Sequence, residues 1–222
     1  MPRERLPPPL PPETRTVGQL VAEAVKLYGS RFWPSLALGI GPALLGVAAA
    51  ELDEPARVVV VLGLGPFVLA ASYAGAIALV RPIGRGRYLA TALAAGFIAF
   101  LPLCVARLWI FPGIYLLVLA WLALVGLAVP AALVERRGLP DALRRGFELA
   151  RADYPHALGS LATLVITILL TGLVLFFTLR ELSDQALRVA AFLALLVLAP
   201  VFVIGAAILY VDQAARVESS PQ

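Results

Sequence analysis

The chain has 222 residues, of which 61% are hydrophobic and 14% charged, with a net charge of +4 at neutral pH. Soluble domains carry about 25% charged residues, so the composition excludes an ordinary soluble domain, and the length leaves room for one membrane domain. The basic excess does not point to nucleic acid, because Lys and Arg fall between apolar stretches, where retention on the cytoplasmic side accounts for them.

In chain order, residues Leu6 to Pro12 read Leu-Pro-Pro-Pro-Leu-Pro-Pro, which removes backbone donors and favours polyproline II. A disordered Pro-rich tail is expected over 1–15, with an SH3-type ligand as the lesser alternative. That tail has no apolar core behind its charges and is not a cleavable signal, so the first span is expected to direct insertion. Thr16-x-x-Gln19 then matches a capping box, and Val17, Leu20, Val21, Ala24 and Leu27 or Tyr28 follow at helical spacing, with Glu23, Lys26 and Arg31 on other faces. An amphipathic helix over 16–31, too polar to span, is predicted to lie along the interface before the chain turns inward at Phe32, Trp33 and Pro34.

Six apolar stretches follow, at about 33–50, 58–80, 88–110, 114–134, 156–179 and 189–211. A bilayer core of roughly 30 Å needs about 20 helical residues, so each has the length of a membrane span. Phe111-Pro112-Gly113 divides the third from the fourth as a hairpin. The only long polar connection, 135–155, carries a stripe of Leu139, Leu143, Phe147 and Ala150 flanked by Arg144, Arg145, Glu148 and Arg151; a second interfacial helix is predicted over 139–152, started by Pro140. A short tail over 217–222 closes a single membrane domain spanning 16–216.

Orientation follows from the basic residues. Fourteen lie on the side of the tail, the two polar helices, the second loop and Arg216, against four (Arg57, Arg107, Arg180, Arg188) on the other. Both termini are therefore expected in the cytoplasm. The two polar helices also superpose weakly at an offset of 122, with Leu20-Val21 over Ala142-Leu143 and Phe32 over Tyr154. If real, this repeat is parallel rather than inverted.

Residues able to carry chemistry are few. The span cores lack Asp, Glu, Lys and Arg, which argues against a proton- or sodium-coupled transporter, because charges held in hydrocarbon are retained for such work. Cys104 lies inside an apolar segment and is expected as a small hydrophobe. His156, the single histidine, lacks neighbouring ligands, so no metal site is predicted, and neither an acid–base pair nor a nucleophile with its base is assembled. Ser160, Thr163, Thr167 and Thr171 align on one helix face, either bonding to carbonyls within the bundle or lining a polar groove for a lipid headgroup or small solute. Pro42, Pro66, Pro102, Pro130 and Pro200 permit kinks, and Ala71-x-x-x-Gly75 and Ala92-x-x-x-Gly96 permit close helix approach. Arg136, Arg137, Arg144, Arg145 and Arg151 border the second amphipathic stripe as possible lipid-headgroup contacts.

Several stretches together resemble the bacterial membrane-domain family of glycerophosphoryl diester phosphodiesterases and related inner-membrane proteins. They are the Thr16 to Trp33 opening, Phe111-Pro112-Gly113-Ile114-Tyr115, the Val129 to Glu135 end of the fourth span, the Arg137 to Leu149 helix and the closing Tyr210-Val211-Asp212. None is a catalytic motif. Some members of that family look to be joined to a soluble barrel that hydrolyses glycerophosphodiesters with a metal ion; such a barrel needs about 250 residues and its own carboxylate and histidine cluster. These 222 residues hold neither, so hydrolysis is not carried over to them. Family members often show an arginine shortly before the proline of the fourth span, where this chain has Leu124 or a neighbour.

The sequence thus predicts an all-α integral membrane protein of a bacterial inner membrane, with six transmembrane helices and two cytoplasmic interfacial amphipathic helices. It is expected to be a non-enzymatic accessory, scaffold or lipid-sensing domain without cofactor. Its expected partners are membrane lipids and a cytoplasmic or membrane protein. The alternative is transport or translocation of a lipid or small amphiphile.

Overall fold

The computed structural model describes residues 11–83, 88–108, 113–179 and 183–219, and among them every regular element is helical. After a 3-10 turn at Pro12–Thr14 come α1 (Val17–Ser30), α2 (Phe32–Glu51), α3 (Glu54–Gly63), α4 (Gly65–Val80), α5 (Leu89–Ala106), α6 (Ile114–Val125), α7 (Ala128–Val134), α8 (Leu139–Ala152), α9 (Tyr154–Leu179) and α10 (Asp184–Ser219). Six helical stretches are long and apolar enough to cross a membrane: Phe32–Glu51, Glu54–Val80, Leu89–Ala106, Ile114–Val134, Tyr154–Leu179 and Gln185–Ser219. They coincide with the six predicted from apolar length. α1 begins at the expected capping box, with the Thr16 hydroxyl accepting from the Gln19 N–H and the Gln19 side chain accepting from the Thr16 N–H.

Two of the six are broken where one helix was expected. α3 gives way to α4 at Leu64, just before Gly65-Pro66, because Pro66 has no N–H to return and its ring opposes the carbonyl four residues back. α6 ends at Gly126 for the same reason: Pro130 has nothing to donate to the Gly126 carbonyl, which accepts from the Val129 N–H at 3.4 Å. Pro42, Pro102 and Pro200 lie inside continuous helices. The Pro-rich stretch of 1–10 and Phe111-Pro112 of the expected hairpin lie outside the described residues. Within the tail expected over 1–15 the chain forms the 3-10 turn at Pro12–Thr14, and α10 extends to Ser219.

Small residues bring the helices together. A Cβ on Gly96 of α5 would lie 2.3 Å from that of Ala70 on α4, and one on Gly39 of α2 would lie 2.0 Å from the Leu196 carbonyl oxygen of α10. Of the predicted small pairs, Ala92 and Gly96 are both buried, whereas Ala71 faces outward. α8 packs on α7 at Gly146 and buries Ala142, Gly146, Leu149 and Ala150, the last of which belongs to the apolar stripe. Gly146 decides this, since a Cβ there would lie 2.5 Å from the Ala128 nitrogen, so only glycine allows the backbones so close. Leu139 and Leu143 are half-buried as a result, and Phe147 points outward, 42% exposed. α9 buries residues only in its first half, at Ala157, Ser160, Leu161 and Leu164.

Candidate functional site: a polar clamp at one end of the bundle

The residues 11–15, α1, α8, the start of α9 and the last turns of α10 meet at one end of the bundle, and two carboxylate-centred clusters hold them there. In the first, Glu135 terminates α7. Its Oε2 accepts from Arg137 Nε at 2.7 Å, both oxygens accept from Arg145 Nε at 3.1 and 3.2 Å, and Oε1 accepts from the Tyr210 hydroxyl of α10 at 3.1 Å. Burial alone would push the Glu135 carboxyl up; the two guanidinium groups and the phenol outweigh it and hold the pKa below its ordinary value. Arg136 turns the chain between Glu135 and α8 with φ 56°, the left-handed region, and its side chain is exposed.

The second cluster spans nearly the whole chain. Asp212 of α10 is fully buried and accepts from Arg15, 197 residues away, which also contacts Glu23 of α1 at 3.0 Å. A buried carboxylate without a partner would be strongly destabilising, and Arg15, itself 9% exposed, supplies that partner. One turn on, Arg216 Nη1 donates to Asp153 Oδ2 at 2.6 Å and Nη2 donates to the Arg15 carbonyl at 3.0 Å. Gln213 Nε2 donates to the Asp153 carbonyl at 3.0 Å, and Asp153 Oδ1 accepts from the His156 N–H, capping the first turn of α9. Residues 210–216 of α10 thus gather α8 at both ends and the chain ahead of α1.

The five candidate headgroup arginines divide. Arg145 is mostly buried, 18% exposed, and with Arg137 is occupied by Glu135. Arg144 is 82% exposed and pairs with Glu148 at 3.2 Å, Arg151 lies 5.2 Å over the Phe147 ring, and both face outward with Arg136. Ser160 faces the bundle and is fully buried; Thr163, Thr167 and Thr171 each donate to the carbonyl four residues back at 2.8 Å, the last two from the exposed side of α9. Cys104 is buried against Gly65, and His156 lies beside Asp153 and Arg216. Among the described residues no group of three or more His, Cys, Asp or Glu side chains is placed to hold a metal ion.

Sequence reasoning did not single out Arg15, Glu23, Glu135, Asp153, Tyr210, Asp212 or Gln213 as a site. A signal existed in the last apolar stretch, which ends on Asp212 with Arg216 one turn beyond, an acid placed where apolar residues otherwise continue. Its partner could not be read locally.

No family model, no curated protein and no solved structure matches this chain. Among the described residues the fold and the clamp define a class: a helical bundle with six helices long and apolar enough to cross a membrane, closed at one end by a buried and a part-buried ion pair.

Proposed function

We propose that this is a multi-pass protein of a bacterial cytoplasmic membrane with both termini and the clamp on the cytoplasmic side. It acts as a non-enzymatic accessory or scaffold domain whose α8 reads anionic lipid. The excess of Lys and Arg at the clamp end supports the orientation. Three of the stretches that carry the resemblance to the phosphodiesterase membrane-domain family meet there, through Glu135 with Tyr210 and with Arg145, which favours a shared structural role for them.

The observation that carries the lipid reading is the division of α8. Its Gly146 face is fixed on α7, while Phe147, Arg144 and Arg151, with Arg136 beside them, are presented outward. Each basic residue near an anionic surface contributes about 1 kcal/mol, and an aromatic ring adds apolar insertion. The test is native mass spectrometry of the full chain extracted from mixed vesicles of phosphatidylcholine and phosphatidylglycerol. The parent protein should retain phosphatidylglycerol preferentially, and replacing Arg136, Arg144 and Arg151 by Gln should abolish that preference. No preference in the parent would refute it.

A further inference from the structure

We propose that residues 11–15 form a strap latched by ion pairing onto the end of α10, able to open while the bundle stays packed, and that Arg216 couples the latch to α8. What the coupling regulates rests on the lipid reading of α8; the latch itself does not.

Among residues 11–15 of the strap no apolar side chain is fully buried. Its 3-10 turn buries no residue, with Pro11 and Thr14 exposed and Pro12 and Glu13 only half-buried. Its backbone hydrogen bonds are internal, from Thr14 to Pro11 and from Arg15 to Pro12. Polar contacts tie it to α10 and α1: the Arg15 guanidinium sits between Asp212 and Glu23, and the Arg15 carbonyl accepts from Arg216. Segments held by few apolar contacts open with a small fraction of the global free energy. The helix behind the strap has its own anchors, Leu20 and Ala24, both fully buried, so opening at Arg15 need not move α1.

Arg216 makes the latch two-sided. One of its nitrogens holds the strap and another holds Asp153, the residue between the end of α8 and the start of α9. Loss of either contact changes the orientation of the guanidinium toward the other, so the strap and the end of α8 share one positioning residue. A displacement of α8 by headgroups would reach the strap through Asp153 and Arg216.

Trypsin reads the latch directly, because the Arg15–Thr16 bond is a substrate only when the strap opens. The full chain in phosphatidylcholine nanodiscs should be cut slowly there. Asp212→Asn, which keeps shape and removes charge, should raise that rate about tenfold, and Asp153→Asn, which keeps the cap on α9, about threefold, since cleavage follows the open population. Glu51→Gln, which removes the ion pair with Arg188 at the far end, should leave it unchanged. If Asp212→Asn fails to yield monodisperse protein, Glu23→Gln acts on the same guanidinium from a part-exposed position and should give about threefold. Equal cleavage at Arg15 in the parent and in these charge variants would overturn the latch, as would equal acceleration at Arg57 and Arg188, which would mean general unfolding. An Asp153→Asn rate equal to the parent's would overturn the coupling. None of these outcomes depends on phosphatidylglycerol, so failure of the lipid reading is separable.

Discussion

The Tyr210 hydroxyl donates to Glu135 Oε1 across 3.1 Å, joining the end of α10 to the turn between α7 and α8, 75 residues away. The same carboxylate holds Arg145, whose side chain is 18% exposed. Removing one neutral donor costs about 0.5–1.5 kcal/mol, whereas removing the charge that balances a mostly buried guanidinium costs about 3 kcal/mol. Tyr210→Phe should therefore lower the thermal midpoint in detergent modestly, and Glu135→Gln distinctly more. The reverse order would mean that Arg145 finds another partner.

Acid should act through the same carboxylate. The folded pKa of Glu135 is held below the ordinary 4.5, so the unfolded chain binds the proton more readily. The stabilisation is fully present above about 4.5 and is lost as pH falls through the lower folded value. The parent should lose stability in that acid window, and Glu135→Gln should show less of this loss. The measurement is the difference between the two unfolding midpoints from neutral pH downward; a difference that does not shrink on acidification would contradict it.

Gly39 should not tolerate a methyl group. The added Cβ would lie 2.0 Å from the Leu196 carbonyl oxygen, a backbone atom that cannot rotate away, so α2 and α10 would have to separate. Overpacking of this kind costs about 1–3 kcal/mol or more, and Gly39→Ala should lower the yield of monodisperse protein. Gly172→Ala, with nothing within 4 Å, should be neutral or stabilising by up to about 1 kcal/mol.

The hydroxyls of α9 should separate by side. Thr167→Val and Thr171→Val remove donors that serve only their own helix from exposed positions, so stability should change by less than about 0.5 kcal/mol. Ser160→Leu, at a fully buried site, should cost about 1–3 kcal/mol. Thermal midpoints of the three variants decide it.

The long helices were legible because their signal is additive: some twenty apolar residues in a row need no partner to be recognised. The breaks at Leu64 and Gly126 were less so, although Pro66 and Pro130 announce them, because hydropathy runs uninterrupted across both. The face of α8 that packs on the bundle was not legible from apolarity, because size selects it at Gly146, where only glycine lets the backbone approach Ala128 of α7. The clamp was illegible for a different reason. Arg15 and Asp212 look like ordinary flanking charges until the fold brings positions 197 apart together, and no local pattern encodes that meeting.

From Val165 to Leu179, α9 buries no residue. Fifteen consecutive positions therefore carry little shape information. Exhaustive substitution would show a broad plateau of tolerated residues there, set against narrow minima at Gly39, Gly96 and Gly146, so the second half of this helix is specified far less by its neighbours than the first.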